Sequence, residues 1–164
     1  MRFTGQTWQP SLGAPTRVEG AAGVALVIRA LRLAAGPGCW PLVERVFRDA
    51  CGPGGGIAAS CLFRILLQGL ALGARRPLRL GFVGAPELSH DERALLQMMA
   101  AAQRGDALLL EASAIWLARP TAAASVARAA SGLAELLAMN GALLPAAPQA
   151  VQRPLSARIA AVES

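Results

Sequence analysis

The side chains best suited to acid–base chemistry lie in one run, Ser89-His90-Asp91-Glu92, which contains the only histidine of the chain. A histidine beside carboxylates can act as a general base that an acid orients. Successive residues of an α-helix, however, point about 100° apart, so the side chains of His90, Asp91 and Glu92 do not converge on one atom. The same run has the pattern of a capping box, with Ser89 as N-cap and Glu92 as the third helical residue. We therefore predict a helix start here rather than an active site.

Thiol chemistry would have to use Cys39, Cys51 or Cys61, which are ten or more residues apart. Zinc sites normally begin with two cysteines separated by two to four residues, and no signature of an activated thiol is present. The glycine-rich run 52–56 precedes a helix, but a P-loop ends in Gly-Lys-Ser/Thr and the chain has no lysine. We predict no metal, no cofactor and the reduced thiols of a cytoplasmic protein. An enzyme that uses His90 or a cysteine is the third functional hypothesis.

All 16 basic residues are arginine, and the formal net charge is +6. The absence of lysine is typical of a GC-rich bacterial genome, so arginine content alone does not indicate phosphate binding. The densest cluster, Arg75, Arg76 and Arg79, is the candidate patch for an anionic partner. The other arginines are scattered, and residues 107–118, in the place of a recognition helix, carry no arginine, asparagine or glutamine that could read a base edge. Nucleic-acid or anionic-surface binding is therefore the second hypothesis.

Apolar residues recur at helical spacing along most of the chain, which predicts an all-α fold. Glycine and proline separate the apolar runs, with a decisive break predicted at 52–56. Six helices are predicted, at about 20–35, 40–51, 57–75, 90–104, 107–118 and 122–139. From a length of 164 residues we expect a single domain of five or six short helices at 20–144, with helix 57–75 central. A flexible arm is predicted at 1–19 and a flexible tail at 145–164.

The same spacing predicts which side chains face the core. The first helix should turn Arg29 and Arg32 toward solvent. Thr121 should cap the last helix, and Leu143 should close its C-terminal end with an apolar contact. The inward residues predicted for helix 107–118 are Leu108, Leu109, Ala112, Ile115 and Trp116.

The most apolar segment, 57–75, raises the alternative of a membrane span. A span needs about 20 mainly apolar residues, and here Arg64 and Gln68 interrupt the run near its middle. Gly69 and Gly73 have the spacing that lets a second helix approach closely, in membranes and in soluble proteins alike. We therefore favour the central helix of a packed domain over a membrane span.

Residues 78–83 form the one stretch with strand-like alternation, which places Leu78, Leu80 and Phe82 on one side. Two interpretations remain open: an extended connector that packs on its own chain, which we favour, or a strand that pairs with its copy in a second subunit. The three residues are accordingly the candidate interface.

Few residues of catalytic type occur in this chain, while its hydrophobic fraction is 54%. This composition favours a non-enzymatic helical interaction protein, either a homo-oligomer or an accessory subunit of a bacterial assembly. A protein partner is thus preferred to nucleic acid.

Overall fold

A computed structural model describes residues 16–145, and within this range the protein is a single all-α domain of five helices without strands. This confirms the predicted fold class. The helices are α1 (Thr16–Ala34), α2 (Trp40–Gly73), α3 (His90–Arg104), α4 (Ala107–Leu117) and α5 (Pro120–Met139). The predicted arm at 1–19 lies outside the described residues except at 16–19, where α1 already begins, and the predicted tail lies outside them except for Pro145.

The long helix α2 is folded back on itself at Gly52, whose backbone leaves the helical region with φ 71° and ψ 176°. A straight helix would hold Trp40 and Phe63 about 35 Å apart, yet their ring centroids are 6.4 Å apart. The two limbs, residues 40–51 and 53–73, therefore form a helical hairpin.

The predicted break between two helices is confirmed at Gly52, but it is confined to that residue, because residues 53–56 already belong to the second limb. Pro53 directly follows the non-helical residue, where its fixed φ suits the first turn of a helix. Gly56 lies where the limbs touch: a Cβ there would be 2.8 Å from the backbone nitrogen of Arg48. A residue without a side chain is needed at this contact, so this glycine serves packing rather than a loop.

The second limb of α2 packs along α5. Helix α5 also contacts α3 and α4, so it shares the centre of the domain with this limb. A Cβ on Gly69 would stand 3.2 Å from Cγ2 of Val126. A Cβ on Gly73 would overlap the side chain of Ala122. The predicted role of these two glycines, close helix approach, is confirmed. The largest fully buried apolar side chains are Phe47, Phe63, Leu66, Leu70, Met98, Met99, Leu133 and Leu137.

The ends of α5 differ from the prediction. The helix begins at Pro120 rather than Ala122, and the N-cap is Arg119, without a side-chain cap bond, so Thr121 is not the cap. Proline at the first helical position needs no hydrogen-bonded N–H, which makes it a start signal here. At the other end Leu143 is exposed, and Leu144 is the buried residue.

Helix α2 ends at Gly73 rather than at Arg75. The chain turns there because residues 73–75 bind the segment that links α4 to α5. Ala74 forms an isolated bridge with Ala118, and the Arg119 amide donates to the Gly73 carbonyl at 2.7 Å.

Two helices, Trp40–Gly73 and Pro120–Met139, are long and apolar enough to cross a membrane by length and composition. The core helices of soluble proteins pass the same test, so the evidence for a span is weak. The fold at Gly52 divides the first of them, and the inward side of the second is buried among the other helices.

Candidate functional site

The start of α3 has the predicted capping box. The Ser89 hydroxyl accepts from the Glu92 amide at 3.1 Å, and Glu92 Oε2 accepts from the Ser89 amide at 2.8 Å. The same hydroxyl donates to the Arg79 carbonyl at 2.6 Å. The cap therefore fixes both the helix and the segment that leads to it, which we call the connector (residues 74–89).

Glu92 does more than cap the helix, because it forms a buried ion pair with Arg32 of α1. The Arg32 Nε lies 2.7 Å from Oε1 of Glu92 and Nη2 lies 3.0 Å from Oε2, and the two side chains are 5% and 0% exposed. Burial by itself would raise the pKa of Glu92, but bonds from Arg32, Ser89 and the Gly81 amide outweigh it and lower the pKa. Glu92 is therefore held as a carboxylate.

The prediction that Arg32 faces solvent is wrong. Its guanidinium also donates to the carbonyl oxygens of Ala85 at 2.6 Å and Glu87 at 2.8 Å. These partners are more than fifty residues away in sequence, so local periodicity could not reveal them. A buried guanidinium is tolerated here because an ion pair and carbonyl acceptors replace its water.

Asp91, also buried, binds the first part of the connector. Arg76 donates to both of its oxygens, at 2.9 and 2.6 Å, and the Arg79 amide donates to Oδ2 at 2.6 Å. These bonds, that of Arg76 first, lower the pKa of Asp91 against the opposing effect of burial. Asp91 and Glu92 together tie the connector to α3.

His90 directly precedes these two acids but is exposed and shares none of their hydrogen bonds. The three side chains thus do not form a common acid–base site, as the helix geometry predicted. Instead, the run fixes the sixteen-residue connector onto α1 and α3.

The three cysteines are free and occupy different environments: Cys39 is half-buried, Cys51 is buried and Cys61 is exposed. Burial raises the pKa of the Cys51 thiol, so this thiol stays protonated at neutral pH. Among the described residues no three His, Cys, Asp or Glu side chains are grouped so as to hold a metal ion.

A cleft of about 210 Å³ lies between the limbs of the α2 hairpin. It is lined by Glu44, Arg48, Gly56, Ile57, Ser60, Cys61 and Arg64. Arg64 lies 4.3 Å over the Trp40 ring and 3.6 Å from Glu44. The Trp40 Nε1 donates to Glu44 Oε1 at 2.8 Å. This constellation joins the two limbs, because each polar group of the trio binds another member.

The predicted interface residues do not share one surface. Leu78 and Leu80 are half-buried and pack against the core of their own chain, whereas Phe82 is 76% exposed. Alternation therefore does not continue through the connector, since the chain turns at Val83 and Gly84. Phe82 and Val83 are the exposed apolar residues at this turn.

Two of the three arginines in the candidate anionic patch bind the protein itself. The Arg75 Nε donates to the carbonyl oxygens of Ile115 and Ala118, at 2.8 and 3.2 Å, and Arg76 pairs with Asp91. Arg79 is exposed. The geometry thus gives the first two arginines the task of holding the connector and the C-terminal end of α4.

Helix α4 presents to solvent the side that was predicted to face the core. The buried residues of α4 are Ser113, Ala114 and Leu117. The exposed fractions of Leu108, Ile115 and Trp116 are 82%, 40% and 52%. With Ala112, which is also exposed, these three side chains form what we call the outer face of α4.

The prediction failed because α4 is apolar on all sides, so periodicity indicates no preferred face. One signal was present in the sequence. Glu111, the only charged residue of α4, lies three residues after Leu108 and four before Ile115, and residues at these spacings share a helix face. It marks the solvent side.

A groove of about 430 Å³ runs between α4 and α5 beside this face. Its α4 side includes Ile115 and Glu111, and its α5 side is almost entirely small, with Ala123, Ala124 and Ala127. The outer face and this groove together form a continuous and largely apolar surface, since Ile115 belongs to both.

Comparisons of the chain with protein-family models, with curated proteins and with solved structures each found no significant match.

Proposed function

We propose that this protein is a non-enzymatic interaction protein, a homo-oligomer or an accessory subunit, that docks a protein partner on the outer face of α4. The observation that carries the proposal is the exposure of Leu108, Ile115 and Trp116 on one side of a helix that has a single charged residue. A helix that is apolar all round is normally buried on all sides. In this chain only one side of α4 is buried.

The energetic incentive for covering this face is substantial. Complete burial of a leucine or isoleucine side chain stabilises by about 1.5–3 kcal/mol. A tryptophan adds the apolar area of a large ring, and its N–H can donate a hydrogen bond at the edge of an interface. Tryptophan is also the residue most enriched among binding hot spots. Trp116 is therefore the expected anchor.

The arginine corner supports this surface rather than competing with it. Arg76 lies 5.4 Å from the centroid of the Trp116 ring, and Arg75 binds the carbonyl of Ile115 at 2.8 Å. Both contacts hold the end of α4 that presents the anchor. The exposed turn at Phe82 and Val83, which is part of the connector, is a secondary apolar contact point in this proposal.

Affinity capture with the full chain tests the proposal. Wild-type protein should retain a protein partner, including an untagged second copy, at about 0.5 M NaCl, because apolar docking is not screened by salt. Leu108→Glu and Trp116→Glu should lose it. Ile65→Glu is the matched control, since Ile65 is an exposed isoleucine on α2, and it should retain the partner.

Two results would contradict the proposal. One is capture that survives Leu108→Glu and Trp116→Glu. The other is co-purifying nucleic acid that is released steeply with salt and with Arg79→Ala, which is the signature of phosphate binding and would favour the anionic-partner hypothesis instead.

A further inference from the structure

We propose that the partner of α4 is a second copy of this chain, whose α4 packs antiparallel on the first about a twofold axis at Ala112. This inference rests on the proposed function, which assigns the outer face of α4 to a protein partner. An axis of this kind needs a surface that is complementary to itself, because each residue meets its counterpart across the axis.

The order of side chains on α4 provides that complementarity. The helix comprises 11 residues, and Ala112 is the central one. Leu108 lies four residues before it and Trp116 four residues after it. Antiparallel pairing therefore sets Leu108 of each copy against Trp116 of the other, while the small Ala112 at the axis lets the helices approach to the usual 8–10 Å.

Charges at the two ends of α4 favour the same orientation. The exposed N-cap Asp106 stands six residues before Ala112, and the exposed Arg119 stands seven residues after it, just beyond the end of the helix. Antiparallel pairing brings each aspartate to the arginine of the second copy, whereas parallel pairing would bring like charges together. The helix dipoles are also opposed in the antiparallel pair.

The neighbouring arginines lie at the C-terminal end of α4, where Arg75 and Arg76 flank the helix through Ile115 and Trp116. Glu111 adjoins Ala112 and therefore lies beside the axis, on the side of the groove. Arg104, at the end of α3, is the basic residue near the acidic end. On balance one end of the surface is basic and the other is not, so a second copy fits best when reversed.

The size of the surface sets the expected affinity. The outer face of an 11-residue helix is about 16 Å long and 10 Å wide, which is smaller than the roughly 800 Å² per partner of a standard interface. The alanine side of the groove, at Ala123, Ala124 and Ala127, extends the contact. We expect a reversible dimer with a dissociation constant in the micromolar range.

Cysteine cross-linking tests the axis. In the full chain with Cys39→Ser, Cys51→Ala and Cys61→Ser, Ala112→Cys should form a disulfide-linked dimer under mild oxidation, because a disulfide requires Cα atoms within about 7 Å. Ala71→Cys is the matched control, since Ala71 is an exposed alanine on α2, and it should remain monomeric. Circular dichroism of the cysteine-free background verifies that it folds.

Sedimentation equilibrium of the wild-type chain, from about 1 µM to about 500 µM, supplies the second readout. The average mass should rise from monomer to dimer, and Leu108→Glu or Trp116→Glu should weaken dimerisation at least 100-fold, whereas Ile65→Glu should not. A wild-type monomer throughout, or a dimer that Ala112→Cys does not trap, overturns this inference. If capture of a different protein then still depends on Trp116, the proposed function stands without it; if nothing depends on Trp116, both fail.

Discussion

The start of α3 and the outer face of α4 are two regions that look opposite in sequence and in structure. The first contains the histidine and two acids that suggest chemistry, yet Asp91 and Glu92 are buried and bind the connector and Arg32 of α1. The second is a plain apolar helix, yet it exposes Leu108, Ile115 and Trp116. The comparison teaches that polar residues here stabilise the fold and apolar residues form the candidate binding surface.

The largest expected effect comes from breaking the buried ion pair. Glu92→Gln should lower the free energy of unfolding by about 3–5 kcal/mol, because it leaves the buried Arg32 guanidinium without its counter-charge. Urea denaturation at neutral pH measures the loss. Glu87→Gln, which alters an exposed acid of the same connector, is the control and should change stability by less than about 0.5 kcal/mol. Equal effects of the two variants would contradict the role of Glu92 as the counter-charge of Arg32.

A pair of leucines on one helix sharpens the comparison for α4. Leu117→Ala should cost about 2–5 kcal/mol, because Leu117 is buried against the core and its truncation leaves a cavity. Leu108→Ala should change the stability of the monomer by no more than about 0.5 kcal/mol. Denaturation at low protein concentration separates these effects from association. A cost of several kcal/mol for Leu108→Ala would show that this side chain is buried after all.

Protonation of Asp91 and Glu92 at low pH should also destabilise the folded chain. The pKa values of Asp91 and Glu92 are lowered from ordinary values of 3.8 and 4.5, so the unfolded chain binds protons more readily than the folded one. Stability is therefore fully present above about pH 5 and falls as the pH drops through the lowered values, by up to about 1.4 kcal/mol per pH unit for each group. A pH series of unfolding curves should show this slope, and Glu92→Gln should reduce it.

A smaller effect is expected at the cap itself. Ser89→Ala should cost about 1–2 kcal/mol, because it removes the cap bond to the Glu92 amide and the bond to the Arg79 carbonyl. His90→Ala, one residue along, should be close to neutral for stability and for partner binding, since His90 is exposed. If His90→Ala abolished an activity at unchanged stability, the structural interpretation of this run would be wrong.

Local rules predicted the elements well because they act within a few residues. The capping box at Ser89 depends on backbone amides within three residues. Gly69 and Gly73 were likewise identified from their spacing. The all-α fold follows from such signals, because most of them agree along the chain.

The remaining features depend on contacts that are distant in sequence. Local periodicity predicts Arg32 on the solvent side because its acceptors, at Ala85, Glu87 and Glu92, lie more than fifty residues away in sequence. The face of α4 was assigned wrongly because an apolar helix gives periodicity nothing to distinguish. In both cases tertiary packing decided what local pattern could not.

The most direct test of the contrast between the two regions is the melting temperature as a function of protein concentration. Association of folded chains stabilises them by mass action, so the wild-type melting temperature should rise by about 3–6 °C between about 5 µM and 500 µM. Trp116→Glu should melt at one temperature throughout. Ser89→Ala should melt lower at every concentration with the wild-type slope unchanged. A wild-type curve independent of concentration, or a Trp116→Glu curve with the wild-type slope, would contradict the account.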